Sequence, residues 1–182
     1  FKVIIFVSVV GVALFAVYMY FYYGRENIDI NINQTIENET VPSSTLLYRN
    51  IDRNFSIWYP SDLSIKEHDE GDTTYTIVFA DKNNEKSFQI FFTPYIDTSI
   101  TRSRILKDVK SGKFSDPIEI VVGNNIHALT FVSEGEFGKL REVWFIHDNY
   151  LFEITTYDTL DSWLADIMTT WKFFQINPAG RR

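Results

Sequence analysis

An uncharged run of 21 residues, Val3 to Tyr23, is the feature that most limits what this chain can fold into. As an α-helix the run would rise about 31 Å, which is enough to cross the hydrocarbon core of a bilayer. Its C-terminal end carries four tyrosines, whose amphipathic rings favour the membrane–water interface. We therefore predict a transmembrane anchor over residues 1–23, with the lipid bilayer as the partner of residues 3–23.

Two other interpretations of this run are weaker. A cleavable signal peptide has a shorter apolar core and small residues before the cut, whereas this run ends in the bulky stretch YMYFYYG. A pilin-like assembly subunit also begins with Phe and continues apolar, but pilins carry Glu at the fifth position, where this chain has Ile5. An uncleaved anchor is therefore favoured, and the pilin-like subunit remains an alternative.

The residues that follow the run predict a flexible linker over residues 24–44. Asn, Glu and Thr dominate it, and its isolated Ile residues form no sustained helical face. From Asn31 to Ser44 the chain has no Lys or Arg. Because basic residues are retained on the cytoplasmic side, we expect a single-pass protein of the cell membrane with its C-terminal domain extracytoplasmic. The absence of cysteine points to a prokaryotic source.

Residues 45–177 have the length of one domain, followed by a short tail over residues 178–182. The chain's formal net charge is −7, which disfavours nucleic acid as a partner. Alternating apolar residues and turn signals predict strands, and two apolar stripes at helical spacing predict helices. The predicted strands are 55–60, 63–68, 73–80, 87–93, 118–122, 126–133, 140–147 and 150–157, and the predicted helices are 99–111 and 160–171.

The hairpin around Asp148 and Asn149 indicates how its side chains divide between the two faces of the sheet. Placing these two residues at the turn puts Val143, Phe145, Phe152 and Ile154 on the core face. Glu142, Trp144 and Glu153 then lie on the opposite face. An antiparallel β-sheet flanked by helices, an α+β fold, would cover every apolar stripe.

The opening strand FSIWYPSDL, the long hairpins, the aromatic strand pair WFIHDNYLFEITTY and the final helix leading into WKFF resemble the PsbP-like extracytoplasmic fold. The resemblance covers about residues 47–176. It implies an antiparallel sheet sandwiched by helices, and a binding or scaffolding role without catalysis. No ion-binding residues are carried over from the photosystem members of that family.

The residues offer little for catalysis. With no cysteine, thiol chemistry and thiolate zinc sites are impossible, and the three histidines show no metal-binding spacing. His147 and Asp148 could start a metal or acid–base site, although an ordinary turn explains them more simply. Asp69, Glu70 and Asp72 could chelate calcium, although a solvated acidic turn is the simpler interpretation. No cofactor and no catalytic residue is predicted.

We therefore expect a membrane-tethered domain that binds a protein or component of the cell envelope or surface and is not an enzyme. We expect such a domain to have no buried cluster of titratable groups in its largest cleft. The alternatives are a surface metal-dependent hydrolase that uses His147 and Asp148, and the pilin-like subunit.

Overall fold

The structure is a computed structural model that describes residues 44–135 and 138–175. Its described part holds ten β-strands, two α-helices and one short 3₁₀ helix (Asp158–Leu160). The strands are β1 (Thr45–Asn50), β2 (Phe55–Pro60), β3 (Ser64–Gly71), β4 (Thr74–Ala80), β5 (Ser87–Pro94), β6 (Ile118–Val122), β7 (Ile126–Gly135), β8 (Gly138–His147), β9 (Tyr150–Tyr157) and β10 (Lys172–Phe173). The helices are α1 (Arg102–Asp108) and α2 (Asp161–Met168).

The strands form two sheets in which every pairing is antiparallel. A seven-stranded sheet has the order β3-β4-β5-β9-β8-β7-β6, and a three-stranded sheet has the order β1-β2-β10. Most neighbouring strands of the larger sheet are consecutive in the chain and form hairpins. The exception is the pairing of β5 with β9, which are separated by a long stretch of chain. That one long-range pairing joins the N-terminal hairpins to the C-terminal ones.

The main core lies between one face of the larger sheet and a cover made by the smaller sheet and α2. Apolar residues alternate along β4, β5, β8 and β9, so that one side chain in two enters this layer. Aromatic rings dominate it: Phe55 stacks on Trp171 with ring centroids 4.5 Å apart, and Phe145 stacks on Phe152 at 5.1 Å. Burial of this much aromatic surface is the main force that holds the two sheets together.

A smaller core lies on the opposite face of the larger sheet, beneath α1. Ile105 and Val109 are the buried residues that α1 and its C-terminal cap contribute, and they share an apolar cluster with Phe131, Trp144 and Leu151 of the sheet. The Thr101 side chain caps the helix by accepting a hydrogen bond from the Arg104 backbone N–H, at 3.1 Å. This helix positions the charged residues described below.

The turn between β6 and β7 is held against the end of α2. The Gly123 N–H donates to the Met168 carbonyl at 3.1 Å, and Gly123 has a φ of +48°. A Cβ at this position would lie 2.0 Å from the Trp171 carbonyl oxygen. Only glycine fits both the left-handed backbone and this close approach.

The structure confirms most of the predicted elements and adds a second sheet. The pairing of Val143 with Ile154 and of Phe145 with Phe152 is as expected. Strands β1 and β10 were not expected, so the single predicted sheet is wrong. The helix predicted at 99–111 is shorter, Arg102–Asp108, and the one predicted at 160–171 is Asp161–Met168.

The predicted anchor, the predicted tail and all of the predicted linker except residue 44 lie outside the described residues. Within 44–135 and 138–175, no helix is both long enough and apolar enough to cross a membrane.

Candidate functional site

The first pair of predicted site residues, His147 and Asp148, lies at the turn of the β8–β9 hairpin. Their side chains approach to 3.4 Å between Nε2 and Oδ2. The His147 ring also stacks on Phe173, with centroids 3.4 Å apart and planes 16° apart. Burial lowers the pKa of His147, and the nearby Asp148 carboxylate opposes that shift only in part. The imidazole therefore packs against Phe173 at one end of the core, where burial favours its neutral form.

The acidic turn of the β3–β4 hairpin carries the other predicted metal ligands. Asp69 uses both carboxylate oxygens within the hairpin, accepting from the Gly71 N–H at 2.8 Å and from the Tyr75 hydroxyl at 3.0 Å. Glu70 and Asp72 are exposed, and Asp72 has a φ of +50°. Asp69 thus organises the turn.

The structure does not bring the two predicted groups together. Both turns lie at the same end of the larger sheet, but β4 and β9 are separated by β5. In the part of the chain that the structure describes, no three His, Asp or Glu residues are grouped so that they could hold a metal ion. The metal sites at His147 and Asp148, and at Asp69, Glu70 and Asp72, stay predictions.

A cluster of charged side chains lies instead where α1 packs against the larger sheet. We call it the carboxylate cluster; its members are Arg104 and Asp108 on α1, Glu142 on β8 and Glu153 on β9. Glu142 on β8 is 5% exposed. Its Oε1 accepts from the Ser133 hydroxyl at 2.8 Å, and its Oε2 accepts from the Thr155 hydroxyl at 2.7 Å and the Trp144 indole N–H at 3.1 Å. Burial raises the pKa of Glu142, although the three donors favour its ionised form.

Glu153 on β9 is the most deeply buried member of the carboxylate cluster, with 1% of its surface exposed. Arg104 Nη2 lies 3.6 Å from Glu153 Oε1, and Arg104 Nε also contacts Asp108 Oδ2, one helical turn further along α1. Burial raises the pKa of Glu153 well above its usual range, and the negative charge of Asp108 raises it further. Arg104 offsets only part of this shift.

The carboxylate cluster therefore sets three carboxyl groups against one guanidinium. Burial disfavours the ionised forms of Glu142 and Glu153, whereas the three donors around Glu142 and the Arg104 guanidinium near Glu153 favour them. What the arrangement offers chemically is a pair of carboxyl groups whose pKa burial raises. The four residues include no histidine; Glu142 and Glu153 are buried, whereas the side chains of Arg104 and Asp108 are partly exposed.

Sequence reasoning placed Glu142, Trp144 and Glu153 on one face of the sheet but did not predict the burial of the two glutamates. It expected no buried cluster of titratable groups in the domain's largest cleft. The signal that could have found the cluster is Arg104 and Asp108, four residues apart on the predicted helix and flanking its buried Ile105.

The two edges of the larger sheet differ in chemistry. Edge strand β6 exposes Ile118 (64%) and Val121 (58%). Edge strand β3 is polar, with the sequence SIKEHDEG. Charged residues on an edge discourage pairing with other chains, and the apolar edge lacks most of that protection.

No protein-family model matches the chain, and no curated protein matches it. Solved structures do match. The solution structure of cyanobacterial PsbP (CyanoP) from Synechocystis sp. PCC 6803 matches with a TM-score of 0.52 and 11% identity, over 77% of this chain and 98% of that one. A crystal structure of a protein of unknown function from Pseudomonas aeruginosa matches with a TM-score of 0.34 and 15% identity, over 75% of this chain and 99% of that one. The similarity to cyanobacterial PsbP shows a PsbP-like fold.

Proposed function

We propose that this chain is a non-catalytic binding domain with a PsbP-like fold, which pairs with a protein of the cell envelope through β6. Residues 3–23 hold it in the membrane, and the domain lies outside the cytoplasm. The observation that carries the proposal is the exposed aliphatic edge of the larger sheet at Ile118 and Val121.

The chemistry of this edge favours a partner in extended conformation. An edge strand offers backbone N–H and C=O groups to an added strand, and exposed aliphatic side chains add apolar contact. β6 is five residues long and has one acidic residue, Glu119. Ile118 and Val121 are three residues apart and lie on opposite faces of β6, so a partner strand with an apolar residue on each face fits this edge.

The carboxylate cluster also supports binding over catalysis. Glu142 and Glu153 are 5% and 1% exposed, so neither carboxyl group is open to a substrate at the surface of the domain. A general acid or base must come within hydrogen-bonding distance of the atom it serves.

The experiment is photocrosslinking in cells of the native host. A photoreactive amino acid replaces Ile118 on β6 in the full chain, and a matched variant carries it at Glu70 on the polar edge. We expect one adduct of defined mass in the membrane fraction from position 118 and none from position 70. Val121→Lys, which places a charge on the same edge, should abolish the adduct. Equal crosslinking from both edges, or an adduct that Val121→Lys leaves unchanged, would overturn the proposal.

A further inference from the structure

Helix α1 and the residues that follow it carry a concentration of positive charge. Residues 102–113 hold five of the chain's 17 basic residues and one of its 24 acidic residues. The chain as a whole has a formal net charge of −7, so this basic segment contrasts with the rest of the molecule. Charges act on a partner over a range of about 10 Å at moderate salt, so the local excess matters more to a docking partner than the net charge.

The two sides of α1 differ in chemistry. Ile105 on the helix and Val109 at its C-terminal cap are buried in the smaller core. Leu106 and Lys107 lie three and four residues after Ser103, so these three residues share the outward face of the helix, and all three are exposed. The helix therefore presents a leucine that is 48% exposed beside basic side chains.

The basic surface continues beyond the end of the helix. The central carbon of the Arg102 guanidinium lies 4.7 Å from the centre of the Phe114 ring, so the segment after α1 returns alongside the start of the helix. We call the exposed residues of this surface the basic face; they are Arg102, Leu106, Lys107, Lys110 and Lys113.

Two acidic residues lie at the border of the basic face. Asp116 pairs with Arg102 at 3.3 Å, and Glu134 pairs with Lys113 at 3.1 Å. The four side chains are each more than half exposed, and ion pairs of that kind are weak and are screened by salt. Arg102 and Lys113 can therefore exchange these partners for another anion.

The loop before α1 adds a second exposed aliphatic side chain. Tyr95 is buried in the same core as Ile105, so this loop lies on the α1 side of the larger sheet. The next residue, Ile96, is 90% exposed and is followed by Asp97, the one acidic residue between Tyr95 and α1. Ile96 is thus open to an apolar phase outside the domain.

We propose that the basic face docks on the surface of an anionic phospholipid bilayer. Lysine and arginine side chains place their charged ends at the lipid phosphates, while Ile96 and Leu106 enter the headgroup region. This role rests on the proposed function, since the anchor in residues 3–23 would keep the domain close to the bilayer.

The composition of the basic face favours lipid over an acidic protein. Three of its four basic residues are lysines, whose compact charges suit a field of phosphates, whereas pairing with carboxylates of fixed geometry favours arginine. Each basic residue near an anionic surface contributes about fivefold in affinity, so a contact of this size is weak by itself. The tether raises the effective concentration of the bilayer, and without it the basic face does not retain the domain in a membrane fraction.

The chain has no cysteine, so one introduced thiol can carry a fluorescent probe. Ser103→Cys is labelled in the full chain, which is reconstituted with vesicles that contain a quencher linked to lipid headgroups. The vesicles are pure phosphatidylcholine or an equal mixture of phosphatidylcholine and phosphatidylglycerol. We expect the ratio of docked to undocked domain, read from the quenching, to be about tenfold higher with the mixture. High salt should remove that difference, because it screens the charges.

Charge reversal at the centre of the basic face is the main test. Lys107→Glu combined with Lys110→Glu should lower the ratio in the anionic vesicles by about tenfold or more. The matched control is Lys82→Glu combined with Lys86→Glu, which makes the same change of charge at two exposed lysines in the turn between β4 and β5. This control should leave the ratio unchanged.

A second pair of variants tests the apolar part of the contact. Leu106→Asn should lower the ratio about threefold, because less apolar surface enters the headgroup region. Leu46→Asn changes a leucine on β1 with nearly the same exposure, 47% against 48%, and should have no effect.

Equal quenching in the two kinds of vesicle, or an unchanged ratio when Lys107 and Lys110 are both replaced, would overturn the docking. Quenching that appears only in native membranes that keep their proteins would assign the basic face to an acidic protein, and would overturn it as well. Quenching is read without separating the vesicles, so it reports on the basic face independently of the anchor. Failure of the chain to float with phosphatidylcholine vesicles would instead contradict the anchor alone.

Discussion

At the scale of single residues, Glu142 is the buried side chain that accepts hydrogen bonds from several neighbouring side chains. Three donors, from Ser133, Thr155 and Trp144, have their hydrogen bonds to its two oxygens. Glu142→Ala would remove the acceptor of all three donors, two of which, Ser133 and Trp144, are buried. We expect a loss of about 2–4 kcal/mol in the free energy of unfolding, measured by urea denaturation at constant pH.

The matched control for this substitution is Glu119→Ala, which removes an exposed carboxylate from the same face of the sheet. It should change the free energy of unfolding by no more than about 0.5 kcal/mol. If Glu142→Ala cost less than about 1 kcal/mol, the three donors would have other partners, and the network described around Glu142 would be wrong.

At the scale of elements, local signals predicted the hairpins of the larger sheet well, but of the smaller sheet they predicted only β2. The two-residue turn at Asp148 and Asn149 sets the register of β8 against β9, so the sequence alone predicts which side chains share a face. In β1 only Tyr48 is buried, so the strand shows no apolar alternation, and β10 has two residues. β1 forms a hairpin with β2, whereas β10 pairs with β2 only through a tertiary contact between distant parts of the chain.

The carboxylate cluster was half predictable for the same reason. Alternation along the hairpin put Glu142 and Glu153 on one face of the sheet, whereas the contact of Glu153 with Arg104 of α1 comes from a distant part of the chain. Charged residues on the sheet face opposite an apolar core usually face solvent. Nothing local to β8 and β9 shows that other parts of the chain cover this face.

The docking of the β6–β7 turn against the end of α2 gives a test at the same scale. Gly123→Ala would place a methyl group 2.0 Å from the Trp171 carbonyl oxygen, at a φ of +48°. Gly112→Ala is the control, since Gly112 also has a positive φ, of +64°, but a Cβ there meets nothing within 4 Å. The control should lose about 1 kcal/mol from the left-handed backbone alone.

Gly123→Ala should lose at least about 2 kcal/mol more than Gly112→Ala, because backbone must move to admit the methyl group. Urea denaturation of the two variants side by side measures this difference. Equal losses would mean that the turn and the end of α2 are not in the contact described.

At the scale of the whole molecule, the described domain contains both of its own cores, and the main one includes Phe55, Phe152 and Trp171. The proposed membrane contact is confined to a separate part of the chain, residues 3–23. A domain whose core is complete should keep its stability when an anchor outside that core is removed. Deleting the proposed anchor should therefore change where the protein is found in the cell without changing the stability of the domain.

Deleting residues 3–23 should move the protein from the membrane fraction to the soluble fraction, because about 20 apolar residues are needed to span the bilayer. Its free energy of unfolding should stay within about 0.5 kcal/mol of the value for the same chain in detergent. Deleting residues 24–43, a cut of nearly equal length that spares the apolar run, should leave the protein in the membrane. Protease added outside intact cells should digest the domain of the undeleted chain, since the orientation proposed places it there. Equal partitioning of the two deletions, or protection of the domain from external protease, would contradict the anchor or its orientation respectively.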